Sequence, residues 1–410
     1  MLVGISLAGS NPVPGIGYCS RNKTESKRIY AENQKERKIA DEGQQALPQG
    51  RVTSIDALRG FDMFWIIGGE RIFASLHAIF NNPTTAWIKR QLSHVEWEGF
   101  RFEDLIMPLF LFIVGVAMPF SLAGRLARGD SRRRIYLHII KRTLILFVLG
   151  MVAQGNLLEY DLSKLHIYSN TLQAIAAGYL IASIIILNSR RLGQIVTTAV
   201  LLLLFWGLMM LVPVPGQGAD KLAADGNLAI YLDKLILGRF QDGTKYTWIL
   251  SSMTFACTVM LGVMAGQLLH SQKRNIIKFL CLLALGIGGI VLGFVWGKYL
   301  GFPIIKHLWT SSFVLFSAGI CYLLLAFFYL VIDVWGFKKW AFFFVVIGTN
   351  AIAVYMARSQ FDFRTLGDIF VDGLDKYCGN WNGFIHAAAG LAIVWLILFW
   401  MHRKKSFIKI

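Results

Sequence analysis

Charge is scarce in this sequence: only 16% of its 410 residues are Asp, Glu, Lys or Arg. Soluble domains usually carry roughly 25%, so the shortage excludes an ordinary water-soluble fold. Cysteine is sparse too. Cys19, Cys257, Cys281, Cys321 and Cys378 stand singly, with no C-x-x-C pair, which gives neither a disulfide framework nor a zinc site. No phosphate loop, G-x-S-x-G elbow or H-E-x-x-H occurs, and without a nucleotide or metal motif a primary pump is not expected. The opening MLVGISLAGSNPVPGIGYC lacks the basic and apolar regions of a signal peptide. No internal repeat or low-complexity segment is evident.

What is abundant is apolar residues, at 55% of the chain. From Ser54 onward, apolar stretches of helix-crossing length recur near 55–78, 103–124, 135–154, 169–188, 193–212, 247–269, 276–298, 309–333, 340–357 and 383–401. The expected fold is therefore all-α, a polytopic integral membrane protein with about ten transmembrane helices. The net charge of +17 does not form a nucleic-acid-binding stripe, and no nucleic-acid partner is expected. It gathers in the 1–50 tail, in the gaps holding Arg125 to Arg134, Arg190–Arg191, Lys273–Arg274 and Lys338–Lys339, and after Arg403. By the positive-inside rule these gaps are cytoplasmic and both termini lie inside. The chain then divides into a basic, largely disordered cytoplasmic tail, residues 1–50, and a membrane domain, residues 51–410.

One stretch, Gln91 to Pro119, sets a polar segment against a long apolar one. His94, Glu96, Trp97, Glu98, Glu103 and Asp104 crowd together, and charge then stops until Arg125. A histidine among acids at a membrane edge suits proton transfer or nucleophilic attack, because its unperturbed pKa is near 6.5. It also reads as a plain polar loop residue. In the first span Asp56, Arg59 and Asp62 are spaced to share a helix face, and Glu70 follows Gly68 and Gly69. Ionisable residues in a span are costly unless paired or wet, which marks them either as structural pairs or as functional groups. Asn170, Gln173, Lys306, His307, Trp309, Asn350 and Tyr355 recur near span ends, placed by this reading in the outer half of the membrane. Within the 213–246 loop, AIYLDKLILGRF is amphipathic and reads as a lid or as a packing helix.

Five passages in order resemble the heparan-α-glucosaminide N-acetyltransferase family and its bacterial relatives. They are Ser54–Gly60; His94–Gly99 with Asp104–Leu105 and the Pro108–Gly115 span; Tyr231–Gly238; Lys306–Ser311; and Gly348–Ala351. The likeness covers about residues 51 to 400. It implies a membrane acyltransferase using acetyl-CoA as co-substrate, without a metal, with an amino sugar or glucosamine-ended oligosaccharide as acceptor. A bacterial inner membrane and a homodimer are further expectations. The family's catalytic histidine falls on His94, and a polar residue of its first span on Glu70, where the lysosomal member has asparagine. On this resemblance His94, Glu70 and Asp104 carry the chemistry, although Asp104 at a helix start also reads as an N-cap. Donor binding falls to Arg59, Asp62, Arg133, Arg134 and Gln173. Acceptor binding falls to Trp97, Asp233, Lys306, Trp309 and Asn350.

Two departures bear on the acceptor. Leu172-Gln173 is followed by Ala174 in place of arginine, and Lys245-Tyr246-Thr247-Trp248 replaces a D-P-E-G turn. The competing classes are an amino-sugar permease, for which paired Gly/Pro-interrupted spans are the expected mark and none is evident, and an O-acyltransferase acting on a surface polysaccharide.

The charge asymmetry generates a direct check. In a background lacking native cysteines, a cysteine at Ser93 should be labelled by an impermeant reagent from outside, and one at Ser131 should not. The reverse pattern would overturn the assigned sidedness.

Overall fold

In hydrocarbon a chain must satisfy its own backbone hydrogen bonds, so apolar runs of this length have helix as their available form. The computed structural model describes residues 52–215 and 221–408. The expected 1–50 tail and part of the 213–246 loop lie outside these residues. Among the described residues, spans one to eight are Thr53–Phe80, Phe102–Ala127, Arg132–Gln154, Thr171–Asn188, Arg191–Leu211, Ser252–His270, Asn275–Tyr299 and Ser311–Val334. The ninth is a pair of helices, Phe342–Gly348 and Ala351–Gln360, bent by 70°. The tenth is Asn382–Arg403. The protein is thus an all-α polytopic integral membrane protein, with nine candidate crossings among the described residues, or ten with the bent pair counted as one span, against the ten that the apolar runs predict.

The second, fourth, sixth and eighth spans are the most enclosed. The seventh turns Leu280, Leu285, Ile287, Val291, Leu292 and Phe294 outward, as a lipid-facing helix must. Close packing of the inner spans depends on glycine, since apolar burial gives little drive between helices already in lipid. A Cβ on Gly115 would lie 2.0 Å from the Val259 carbonyl oxygen, and one on Gly262 2.1 Å from that of Phe112. These two glycines lock the second span to the sixth. Gly60 and Gly348 do the same for the first and ninth, where added Cβ atoms would stand 1.7 Å from Phe344 O and 2.2 Å from Asp56 O.

Two spans depart from the expected unbroken form. The first contains a π-helical segment, Trp65–Gly69, with Gly68 at φ 145°, a backbone state that favours glycine. The ninth breaks at Thr349–Asn350. Its interruption was not apparent because Thr and Asn sit inside an otherwise apolar run. The sixth span begins at Ser252 and not near residue 247, because residues 247–251 form a turn held by other loops. The amphipathic loop segment is a helix, Leu228–Leu237, and its Asp233 is fully buried. Both Asp233 oxygens accept backbone N–H groups, from Trp248 at 2.8 Å and Ile249 at 2.9 Å. It therefore packs, and pins the turn before the sixth span.

Candidate functional site

The segment between the first and second spans meets the segment between the seventh and eighth, on the side of the bundle where the first span ends. Gly99, at φ 122°, donates its N–H to Ile304 O at 2.9 Å, and Glu98 bridges to Ile305. Beyond that bridge the chain turns, with Trp309 N–H on Lys306 O. The turn delivers the Lys306 side chain to His94, 212 positions away in sequence.

Asp104 is the centre of the cluster. It is 1% exposed and lies in the 3₁₀ turn Phe102–Leu105 that opens the second span. Its Oδ2 accepts the Arg101 N–H at 3.1 Å and the Val95 N–H at 3.4 Å. Its Oδ1 faces His94 Nδ1 at 2.9 Å and Lys306 Nζ at 3.3 Å. The carboxylate thus acts on the helix start and on the imidazole at once. An acceptor at Nδ1 favours the Nδ1–H tautomer and leaves Nε2 as the lone-pair nitrogen. With the proton on Nδ1, the Lys306 ammonium, 3.1 Å from that nitrogen, donates to the shared carboxylate oxygen. Burial holds the Lys306 pKa below its ordinary value, and Asp104 opposes that shift. Arg101 closes the loop from outside by donating to Ser93 Oγ at 2.8 Å and His94 O at 2.9 Å.

His94, Glu103 and Lys306 line a cavity of about 550 Å³ with Ile106, Met107, Phe110, Gln154, His166, Ser169, Thr171, Asp242, Thr244, Tyr246, Trp248 and Tyr355. Tyr246 is pushed up to about 12, by burial first and then by the Asp104 and Glu103 carboxylates, so its hydroxyl remains a donor. His307 is lowered to about 4, by burial and then by Lys306. Its ring packs between Trp97, at 5.3 Å between centroids, and Tyr246, at 4.4 Å.

A second, tighter cavity of about 70 Å³ is lined by Val114, Ala117, Met118, Ser121, Arg125, Ile135, His138, Arg142, Tyr179 and Ser183 among others. Glu103, Met107, Phe110, Val114, Ala117, Ser121 and Arg125 follow one another at steps of three or four along the second span, so one helical face serves both cavities. It runs for about 33 Å at 1.5 Å per residue. Arg142 lies inside the third span, its guanidinium 4.7 Å from the Tyr179 ring centroid, and its Nε is buried without a hydrogen-bond partner among the described residues.

The structure brings His94, Asp104 and Lys306 together, sets Glu70 within electrostatic reach of the cavity residue Glu103 and Trp97 against His307, and places the other predicted residues away from this cluster. Glu70 lines a separate cavity of about 20 Å³ with Arg71, Arg358 and Asp362, and the imidazole-orienting position is held by Asp104. Arg59 is paired with Asp56 at 3.1 Å. Asp62 is fully buried, and neither of its oxygens has a hydrogen-bond partner among the described residues. Arg133 and Arg134 are exposed at the start of the third span, Arg134 facing Asp130 at 3.3 Å. Gln173 is buried and ties the backbone of Ile167 and Ser169 to the fourth span. Trp97 donates from Nε1 to Leu222 O at 3.1 Å. Trp309 is 1% exposed and donates to Thr258 Oγ1 at 3.0 Å, so it offers no ring face to a ligand. Asn350 bonds the backbone of Ser406 and Ile408, just past the end of the tenth span and on the opposite side of the bundle from His94. Glu103, Tyr246, Asp242, Gln154 and His166 are cavity residues that the sequence reading did not assign. Apart from the cavity, Asp368, Asp372 and His386 bring metal-type ligand atoms within 4.8 Å of one another. There the His386 nitrogens are already engaged by Asp368 and Asp375.

No family model matches the sequence. Two curated proteins do: heparan-alpha-glucosaminide N-acetyltransferase of Homo sapiens, 26% identical over 380 residues, and that of Mus musculus, 26% identical over 370 residues. The matches cover 77% and 76% of this chain and 54% of each relative, so the chain spans about half the length of the curated relatives it matches. The relationship is distant and at the level of the family.

The buried Asp104–Lys306 pair generates a measurable coupling. Removing one partner of such a pair costs about 3–5 kcal/mol because a charge is left buried alone. Asp104→Asn and Lys306→Met should each lower unfolding stability in detergent by that order, and the double variant should lose clearly less than the sum of the two. Additive losses would show that the two side chains do not depend on each other.

Proposed function

We propose that the chain is a transmembrane N-acetyltransferase of a bacterial inner membrane. It moves an acetyl group from cytosolic acetyl-CoA to the amine of a glucosamine-type sugar on the extracytoplasmic side. The observation that carries this reading is the Asp104–His94 pair beside Lys306 at a large cavity, on the same face of the second span as a separate arginine-lined cavity nearer its other end. The names of the distant relatives support the same class of reaction. With the bent pair counted as a crossing, the basic gaps after the second, fourth, sixth and eighth spans and the basic C-terminus lie opposite His94, the arrangement expected for a cytoplasmic donor and an outer acceptor.

In this reading Arg142 and Arg125, the latter also facing Asp130 at 3.4 Å, receive the phosphates of the donor with His138, a role that Arg59, Arg133 and Arg134, outside this cavity, fill less well. The pantetheine arm lies along the second span and presents its thioester to the upper cavity. His94 Nε2 removes a proton from the attacking amine, or carries the acetyl group transiently, and returns the proton to the departing thiolate. Asp104 stabilises the imidazolium that forms. The Lys306 ammonium and the Tyr246 hydroxyl donate to the tetrahedral oxyanion. A permease for the same sugar is the second reading, favoured by the interruptions in the first and ninth spans, because broken helices line many transport sites.

Purified His94→Ala should retain acetyl-CoA binding and lose at least about a hundred-fold in acetylation of glucosamine, the lower range for general acid–base catalysis. Arg142→Ala should weaken donor binding by roughly ten-fold, the worth of one charge-assisted contact. Acetylation by His94→Ala at a rate comparable to wild type would remove the catalytic assignment. Uptake of unmodified sugar into proteoliposomes, with no acetylated product, would favour the permease.

A further inference from the structure

We propose that Glu103 is a second proton acceptor of the site and the group that selects a cationic acceptor. This deepens the transferase reading and rests on it. The reaction must balance as R–NH₃⁺ + CH₃CO–SCoA → R–NH–COCH₃ + HS–CoA + H⁺. The C–S bond breaks, the C–N bond forms, and the nitrogen gives up two protons. One passes through His94 to the thiolate. The other has to leave before attack, because an ammonium has no lone pair, and His94 Nε2 holds one proton at a time.

The carboxylates at the cavity differ in what they have left to accept with. Asp104 is occupied by His94, Lys306 and two backbone N–H groups. Asp242, also in the lining, accepts from Thr244 N and Oγ1 and from Trp248 Nε1. Glu103 lines the cavity beside His94, and its Oε2 is buried without a hydrogen-bond partner among the described residues. A buried carboxylate oxygen in that state costs free energy until a donor reaches it, and a ligand ammonium is a charged donor of the right sign. The carboxylate binds R–NH₃⁺, takes one proton as the amine is released, and leaves R–NH₂ beside the thioester and His94. A neutral hydroxyl acceptor brings no charge and loses a single proton, which His94 alone handles. Glu103 therefore favours amines over hydroxyls.

The test uses full-length wild type and Glu103→Gln with two acceptors. One is glucosamine at a pH where it is mainly ammonium; the other is a sugar bearing an O-alkylhydroxylamine, neutral at that pH. For Glu103→Gln, kcat/KM with glucosamine should fall about a hundred-fold and recover as pH rises through the amine's own pKa. The neutral amine should be acetylated within a few-fold of the wild-type rate. Equal loss with both acceptors, or no loss with either, would overturn the proposal. Calorimetry of glucosamine against glucose separates it from the reading beneath it. If wild type forms no acetylated product but prefers glucosamine, and Glu103→Gln abolishes that preference, the cation-selecting role stands and the transferase reading falls. A preference that survives in Glu103→Gln overturns the role of Glu103.

Discussion

The four contacts of the Asp104 carboxylate join three separate parts of the chain. Its Oδ2 fixes the loop before the second span and the first turn of that span, and its Oδ1 meets His94 and Lys306 from two different loops. A carboxylate at 1% exposure is tolerable at a membrane edge because every side of it meets a donor. The same arrangement sets which nitrogen of the histidine is left free. With Nδ1 held by Asp104, the half-exposed ring has Nε2 left for a ligand. Helix capping, loop docking and imidazole orientation are thus one interaction.

The second span extends the consequences of that anchor through the membrane. It is among the most enclosed helices because Gly115 allows the backbone of the sixth span into contact. Its opposite face is left to the groove shared with the third and fourth spans. Along that face the lining changes from Glu103 at one end, through Met107, Phe110 and Val114, to Arg125 at the other. Acidic, apolar and basic surface follow in the order that suits an amine, an acyl arm and phosphates. The breaks in the first and ninth spans belong to a different crossing, held by Gly60 and Gly348.

The crossings were legible because each is an apolar run long enough to span the hydrocarbon, and His94 with Asp104 because both stand where charge stops. Lys306 lies 212 positions from His94; the charge asymmetry puts both on one side and the resemblance to a known family includes both, but no local pattern encodes a contact between distant loops. Three of the polar residues, one in the 213–246 loop and two near span ends, share a structural use. Asp233, Gln173 and Asn350 hold backbone groups that would otherwise go unpaired, a use that looks in sequence like a ligand site. Arg133 and Arg134 stand exposed at a helix start, whereas the cavity takes Arg125 and Arg142. Glu103 was in view in the acidic stretch but was overshadowed by its neighbour Asp104. Tyr246 lies in the four residues that depart from the family's turn.

Vectorial transfer is the claim on which the functional account stands. Proteoliposomes with acetyl-labelled acetyl-CoA confined to the surface bearing Arg125 and Arg134, and glucosamine confined to the surface bearing His94, test it in one measurement. Labelled N-acetylglucosamine should accumulate in the glucosamine compartment while coenzyme A stays with the donor. Labelled product found only when donor and acceptor share a compartment, or labelled acetyl-CoA itself crossing intact, would contradict it.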